Sequence, residues 1–334
     1  MSDLLRDTIE TELSKPLVFH QLYSSAPWGG SKIAAVFKRT DAPEICSESW
    51  GMSGHPYGMN IVKSGAFKGK SLDELLRLYG RKLVGAKAGD ISKFPLITKI
   101  LDARESLSIQ VHPDETNAKL TDGEPKTEAW VVLGAEPGAK LYAGLRQGFD
   151  ERSIRSALGD GDRLLSMLNS YEVKSGDVLF IPGGIVHVIG AGCLIYEVQQ
   201  SSNTTYRLHD WNRADVHHSD RRLHIEESLK TIRYDLSAQK ISYLAPSDSR
   251  NHWHTVVRSG FFRIRDVVLT QKMSVNLDGT SFINFFAAEG QCTVTSGGES
   301  CLLQAGRSAL VAACAKHVVL EPESNECKLI ASSL

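Results

Sequence analysis

The sequence predicts a mainly β protein of two jelly-roll barrels, with a few helices inserted in or flanking the first. Three observations lead there. Short apolar runs broken by Gly, Pro and Ser recur along the chain, the pattern of barrels and jelly rolls. After about residue 237 only short strands remain. One β unit also occurs twice: Val173-Lys-Ser-Gly-Asp-Val-Leu-Phe-Ile-Pro182 and Leu303-Gln-Ala-Gly-Arg-Ser-Ala-Leu-Val-Ala312. Each has a glycine turn, a polar or charged residue, then an apolar strand, and Gly176 and Gly306 lie 130 positions apart. Strands and helices do not alternate regularly, which disfavours a parallel α/β sheet. The expected division is a first domain over 1–236 and a second over 237–334, with Pro246–Arg250 as a loop near the boundary.

Met1 to Lys15 reads as an amphipathic lead-in. From Leu17 to Val62 the apolar runs break at Pro27-Trp28-Gly29-Gly30 and Ser53-Gly54-His55-Pro56, marking strands and turns. The period changes over Ser71–Leu83, where Leu72, Leu75, Leu76 and Tyr79 share a helical face and Ser71 with Glu74 suits a capping box. Phe94–Val111 returns to strand, Asp114–Leu120 reads as a short helix, and Ala129–Leu133 as a strand ending in a turn at Gly134. Phe149–Leu168 is helical with a break at Gly159–Gly161. Tyr171–Gln200 is a run of strands, and His224–Ile232 a helix. Phe261–Leu269, Phe282–Ala287, Gln291–Thr295 and Ser308–Ala313 are the clearest strands thereafter.

At 334 residues and 42% hydrophobic, the chain can bury a core without disulfides or a structural metal, so a bound metal would serve chemistry. A net charge of −1 and the absence of long single-sign runs argue against nucleic acid and membrane as partners. Arg221-Arg222 reads as a solvated helix start. An anionic ligand must be met by a few placed cations. The six cysteines form no C-x-x-C pair and no disulfide framework. Met1–Pro16 has no apolar signal region, and no stretch of about 18 apolar residues suggests a membrane span. The simplest reading is a cytoplasmic protein with reduced thiols, a small-molecule partner, and a monomeric or small homo-oligomeric state.

Taken as a strand, Leu107–His112 places Leu107, Ile109 and Val111 on a core face and Ser108, Gln110 and His112 on the other. That second face points into the barrel, or to solvent as antiparallel sheets often do. In the next strand Glu128 shares its face with Trp130 and Val132. A buried carboxylate needs a cation, either a metal or a basic side chain such as Lys126. Ile181-Pro-Gly-Gly-Ile-Val-His187 delivers a third candidate, which read alone is a core histidine. Two histidines and one carboxylate leave open coordination positions, as catalytic zinc requires, and also suit non-haem iron or manganese. Gln110 is either a fourth ligand through its amide oxygen or a group that orients His112. Ile195, Glu197 and Gln199 line one face of another strand. Arg207 suits an oxyanion or phosphate, or else an ion pair. His217-His218 and His252-Trp253-His254 read as surface clusters.

These motifs together resemble a known family. Pro27-Trp-Gly-Gly30, Glu48-Ser-Trp-Gly-Met-Ser-Gly-His55, Pro95-Leu-Ile-Thr-Lys-Ile-Leu-Asp-Ala103, Leu107-Ser-Ile-Gln-Val-His-Pro113, Lys126-Thr-Glu-Ala-Trp130, Ile181–His187, Glu197–Arg207 and Leu208-His-Asp-Trp-Asn-Arg213 follow in order. The chain is similar to the type I mannose-6-phosphate isomerases of the cupin superfamily, in their short bacterial form, over most of its first 235 residues. The resemblance implies two cupin barrels, the first catalytic. It implies one Zn2+ per chain on His112, Glu128 and His187, with Gln110 at the position of a further ligand. It implies a catalytic Arg207 and a site lysine, Lys126. Ser108, Lys99 and Glu197 are candidate substrate contacts. The large helical insertion of longer relatives is missing, which leaves the phosphate contacts open. The second barrel has only His317, so it is expected to be structural.

The implied reaction interconverts D-mannose 6-phosphate and D-fructose 6-phosphate through an enediol-type intermediate. Zinc would polarise the carbonyl, and Arg207 would stabilise the developing oxyanion. Lys126, Glu197 and a zinc-bound hydroxide all stand as candidate bases. The competing readings are another metal-dependent cupin enzyme acting on a sugar phosphate and a non-catalytic sugar-binding cupin.

Overall fold

Alternating strands punctuated by left-handed glycines form two eight-stranded barrels of one topology. The computed structural model describes residues 10–213, 221–236, 238–242 and 250–334; His217-His218 and most of the Pro246–Arg250 loop lie outside the described residues. By contacts the chain groups into two units, one of Met1–Leu22, Trp50–Lys99 and Leu244–Leu334, the other of Tyr23–Ser49 and Ile100–Tyr243.

The first barrel uses β1 (Leu96–Ala103), β2 (Ile109–Val111), β3 (Glu128–Ala135), β4 (Lys140–Leu145), β5 (Leu168–Glu172), β6 (Asp177–Ile181), β7 (His187–Ile189) and β8 (Cys193–Gln200). Within a seven-stranded sheet the barrel strands run β1-β8-β3-β6, and within a five-stranded facing sheet β2-β7-β4-β5. The second barrel uses β9 (Arg263–Leu269), β10 (Met273–Asn276), β11 (Ile283–Glu289), β12 (Gln291–Ser296), β13 (Glu299–Gln304), β14 (Ser308–Val311), β15 (His317–Pro322) and β16 (Cys327–Ser333). Its strands run β9-β16-β11-β14 within a five-stranded sheet and β10-β15-β12-β13 in a four-stranded one, the same order strand for strand. The repeated unit falls on β6 and β14, each entered through a left-handed glycine, Gly176 at φ 91° and Gly306 at φ 77°.

Inside the first barrel Trp130, Val132, Leu141, Leu179, Ile181 and Ile195 share one apolar cluster. The outer faces of β2 and β7 bury Ile109, Val111, Val186 and Val188 against Ile154, Leu164 and Leu229 of three helices. Those helices, Glu151–Ala157, Gly161–Ser166 and Ile225–Thr231, free the opposite face of β2 and β7 to carry polar groups inward. Leu107 departs from the expected pattern. It joins the barrel-interior cluster while Ile109 and Val111 join the helix-side one, because the strand starts only at Ile109.

Other elements shift in detail. The helix expected over Ser71–Leu83 is two, Leu72–Tyr79 and Arg81–Val84, parted at Gly80 with φ 50°. Asp114–Leu120 yields one 3-10 turn at Ala118–Leu120, since Asp114 Oδ1 accepts the Thr116 and Asn117 amides in a local turn. Gly134 is not a turn, and β3 runs through it to Ala135. Trp253 is not in a loose polar loop. Its ring packs 6.2 Å from that of Phe285 and lies under the Arg265 guanidinium.

The Ser71 cap is formed as expected: its hydroxyl accepts the Glu74 amide at 3.0 Å, and Glu74 accepts the Ser71 amide at 2.7 Å. Ser71→Ala is expected to cost about 1 kcal/mol, read as a lower denaturation midpoint at unchanged metal content.

Candidate metal centre and active site

Three segments carry the candidate ligands, and backbone contacts tie them into one frame. His112 follows β2, Glu128 opens β3 and His187 opens β7. The Gly184 amide donates to the His112 carbonyl at 2.7 Å, the Lys126 amide to the Pro113 carbonyl at 2.9 Å, and the Gly183 amide to Thr127 Oγ1 at 3.1 Å. Only glycine fits the middle of this frame. A Cβ on Gly183 would lie 2.7 Å from the Pro113 carbonyl oxygen, and Gly184 has φ 89° with the Arg233 side chain against it.

The three side chains meet inside the barrel, each fully buried. His112 Nε2 and His187 Nε2 are 3.2 Å apart. His112 Nε2 is 3.4 Å from Glu128 Oε2, and His187 Nε2 is 3.4 Å from Glu128 Oε1. Donors around a tetrahedral ion with bonds of about 2.0–2.2 Å lie about 3.3–3.6 Å apart, so the two nitrogens and the Glu128 carboxylate are spaced to share one ion. His187 Nδ1 sits 2.8 Å from the Ile185 carbonyl, which can only accept. That nitrogen therefore carries the proton, and the neutral ring's Nε2 lone pair faces the other donors. Neither Glu128 oxygen nor His112 Nδ1 has a hydrogen-bond partner among the described residues. The donor set and its unsatisfied carboxylate fit a divalent cation.

Lys126 brings an ammonium to this cluster. Its Nζ lies 3.1 Å from Glu128 Oε2 and 3.1 Å from His112 Nε2. Burial pushes the Lys126 pKa down, but Glu128 and Glu197 outweigh burial and raise it. Burial likewise pushes Glu128 up, and Lys126 with the two imidazoles drives it well below the usual carboxylate range.

Gln110 sits at the centre of a cross-strand row. It pairs with His187 on one side and with Arg207, in the strand Tyr206–His209, on the other. Its Nε2 is 3.3 Å from His187 Nε2, and its Oε1 accepts from Ser108 Oγ at 3.0 Å. A hydroxyl both donates and accepts, so Ser108 suits either orientation of the amide. Glu197 lies on the facing sheet, buried, and accepts the Trp130 indole N–H at 3.1 Å. Lys99 belongs to the other contact unit, where its ammonium lies 4.2 Å from the Trp50 ring centroid.

Similarity to known proteins agrees with this geometry. The model of the phosphomannose isomerase type I catalytic domain matches residues 17–130. A mannose-6-phosphate isomerase of Streptococcus mutans is 40% identical over 223 residues, covering 66% of this chain and 68% of that one. ManA of Bacillus subtilis is 37% identical over 222 residues, covering 66% and 68%. The chain belongs to the type I phosphomannose isomerase family. The crystal structure of the mannose 6-phosphate isomerase from Bacillus subtilis is similar at a TM-score of 0.83 and 27% identity, over 96% of this chain and 100% of that one. The apo enzyme of Salmonella typhimurium shares the fold at a TM-score of 0.70 and 15% identity, over 96% and 98%.

For a member of this family, two features of the site were not read from the sequence. Trp130 was read as core, yet it holds Glu197 and stands edge-on to His187 at 5.3 Å. Arg221 was read as solvated. Its side chain is only 13% exposed and donates twice to the buried Asp210, at 2.8 Å each.

The imidazoles make the fold acid-sensitive. Burial, helped by Lys126, lowers His112 from 6.5 to about 3. Burial also lowers His187, against Glu128 and the Ile185 carbonyl. Below pH 6.5 the unfolded chain therefore binds more protons than the folded one, and stability falls with pH. The metal-free protein should lose melting temperature steadily from pH 6.5 to 4, and His112→Gln should flatten that slope.

Proposed function

We propose that the chain interconverts D-mannose 6-phosphate and D-fructose 6-phosphate, using one Zn2+ held by His112, Glu128 and His187, with Gln110 as the further ligand. The observation that carries this reading is the buried triad, whose donors are 3.2–3.4 Å apart. Two nitrogens and one oxygen suit zinc.

The reaction moves a proton between carbons 1 and 2 of the sugar by way of an enediol. The bound ion would supply Lewis-acid charge to the carbonyl. Arg207, level with Gln110 in the sheet, adds fixed positive charge where the oxyanion develops. Glu128 and Glu197 raise the Lys126 pKa and a bound dication would lower it, so Lys126 stands as one candidate base. The Glu197 carboxylate, oriented by Trp130, is another. Ser108 and Lys99 are the candidate phosphate contacts. Six free thiols suit a reducing compartment, and we place the enzyme in the cytoplasm as a monomer or small homo-oligomer.

The test is a coupled assay with mannose 6-phosphate, before and after chelation, with the bound metal measured. One equivalent of zinc, with activity lost on its removal and restored on its return, is expected. Full turnover after complete metal removal would sink the reading, and iron or manganese in place of zinc would correct the ion. Glu128→Ala should lose both metal and turnover. Arg207→Ala should keep the metal and lose about 100-fold or more in kcat, the scale of a lost oxyanion contact.

A further inference from the structure

We infer that Trp211 is a positioning residue of the metal centre: its indole fixes the Leu107 carbonyl and, through Ser108, holds the Gln110 amide in place beside His187. The inference rests on the metal-dependent reading above. Its ground is a continuous line of contacts. Trp211 Nε1 donates to the Leu107 carbonyl at 2.7 Å, while the Leu107 amide donates to Ile189 at 2.9 Å. The backbone entering β2 is thus held on both sides one residue before Ser108. Ser108 is 3% exposed and donates to Gln110 Oε1 at 3.0 Å, and Gln110 Nε2 lies 3.3 Å from His187 Nε2.

The turn that delivers the indole is built at a conformational cost. The pairing of Tyr206–His209 with β2 slips between Arg207 and His209, a bulge that turns the following residues across Ser106 and Leu107. Trp211 and Asn212 then both adopt left-handed backbone, φ 55° and 54°. Asparagine tolerates that region; tryptophan rarely occupies it. Several contacts hold it there. Asp210, 5% exposed, accepts from Arg213 and from Nε and Nη2 of Arg221. Arg213 Nη1 donates to the Ser106 carbonyl at 2.9 Å. His209 meets the indole edge-on at 5.2 Å, and Gly161 leaves space for both rings. Strain held in place by buried charge is the signature of a residue placed for a purpose.

The experiment compares Zn2+ affinity, by competition with a chromophoric chelator, in wild type, Trp211→Phe and Ser108→Ala. The melting temperature of each metal-free protein is measured alongside. Trp211→Phe keeps a ring and removes the donor. It is expected to weaken Zn2+ about tenfold, the scale of a lost supporting contact, at a metal-free melting temperature near wild type. Ser108→Ala is expected to weaken Zn2+ similarly, and the double variant no more than either alone. Affinity within about twofold of wild type in Trp211→Phe overturns the inference and leaves the functional reading intact. If Trp211→Phe proves unstable without metal, Ser108→Ala decides by the same criterion. Wild type that binds no Zn2+ overturns the functional reading, and the inference falls with it.

Discussion

Glu128 is a carboxylate with no solvent exposure, and the first barrel is organised around meeting its charge. Burying an isolated carboxylate costs far more than any single packing contact returns, so the residue requires a cation or a proton. Lys126, 3.1 Å from Oε2, favours the ionised form and holds the group well below the usual carboxylate range. Neither oxygen has a hydrogen bond among the described residues. Two imidazoles with lowered pKa values and one ionised carboxylate, converging to 3.2–3.4 Å, offer lone pairs suited to a shared cation. The same electrostatics explain why Lys126 stays an ammonium. A dication among these atoms would push it the other way, which couples the lysine's proton to the state of the centre.

That charge can be held in place only because the ligands do not depend on side-chain packing alone. The Gly183-Gly184 turn touches both other ligand segments through its amides, reaching the His112 carbonyl and Thr127. Gly184 supplies a left-handed conformation, and Gly183 supplies contact with the Pro113–Asp114 backbone that no side chain permits. The local sequence therefore fixes distances between strands that are remote in the chain. Helices on the outer face of β2 and β7 complete the arrangement by making those strands apolar outside and polar inside.

Much of this was legible in the sequence, for a physical reason. Inward-facing Gln110 and His112 stand out because they alternate with Ile109 and Val111, and Glu128 stands out because it shares a face with Trp130. Alternation reports the face and not the partner. It therefore could not show that Trp130 binds Glu197, or that Arg221, beside another arginine and next to a helix start, bonds the buried Asp210. Leu107 misled because its backbone bonds to Ile189 and Trp211, so the two-residue period does not yet apply there. The grouping of Trp50–Lys99 with the C-terminal barrel was illegible too, because contacts between segments remote in sequence leave no local pattern.

The two barrels show how little separates a reactive centre from a scaffold. His317 opens β15 as His187 opens β7, at the same 130-position spacing as the paired glycine turns, and its pairing with Asn276 mirrors that of His187 with Gln110. Yet Val318 and Leu320 fill the second core, so the phase of β15 is shifted by one residue and His317 points outward, 3.1 Å from Asn276. Glu128, opposite Ile181, is matched by Ile283, opposite Val311. A one-residue phase change moves every side chain of a strand to the other face, and the loss of the carboxylate removes the need for a cation. The second barrel fills its interior with apolar side chains such as Phe285, Val294 and Leu329. Topology is thus common to both barrels, and the His–Glu–His group lies in the first.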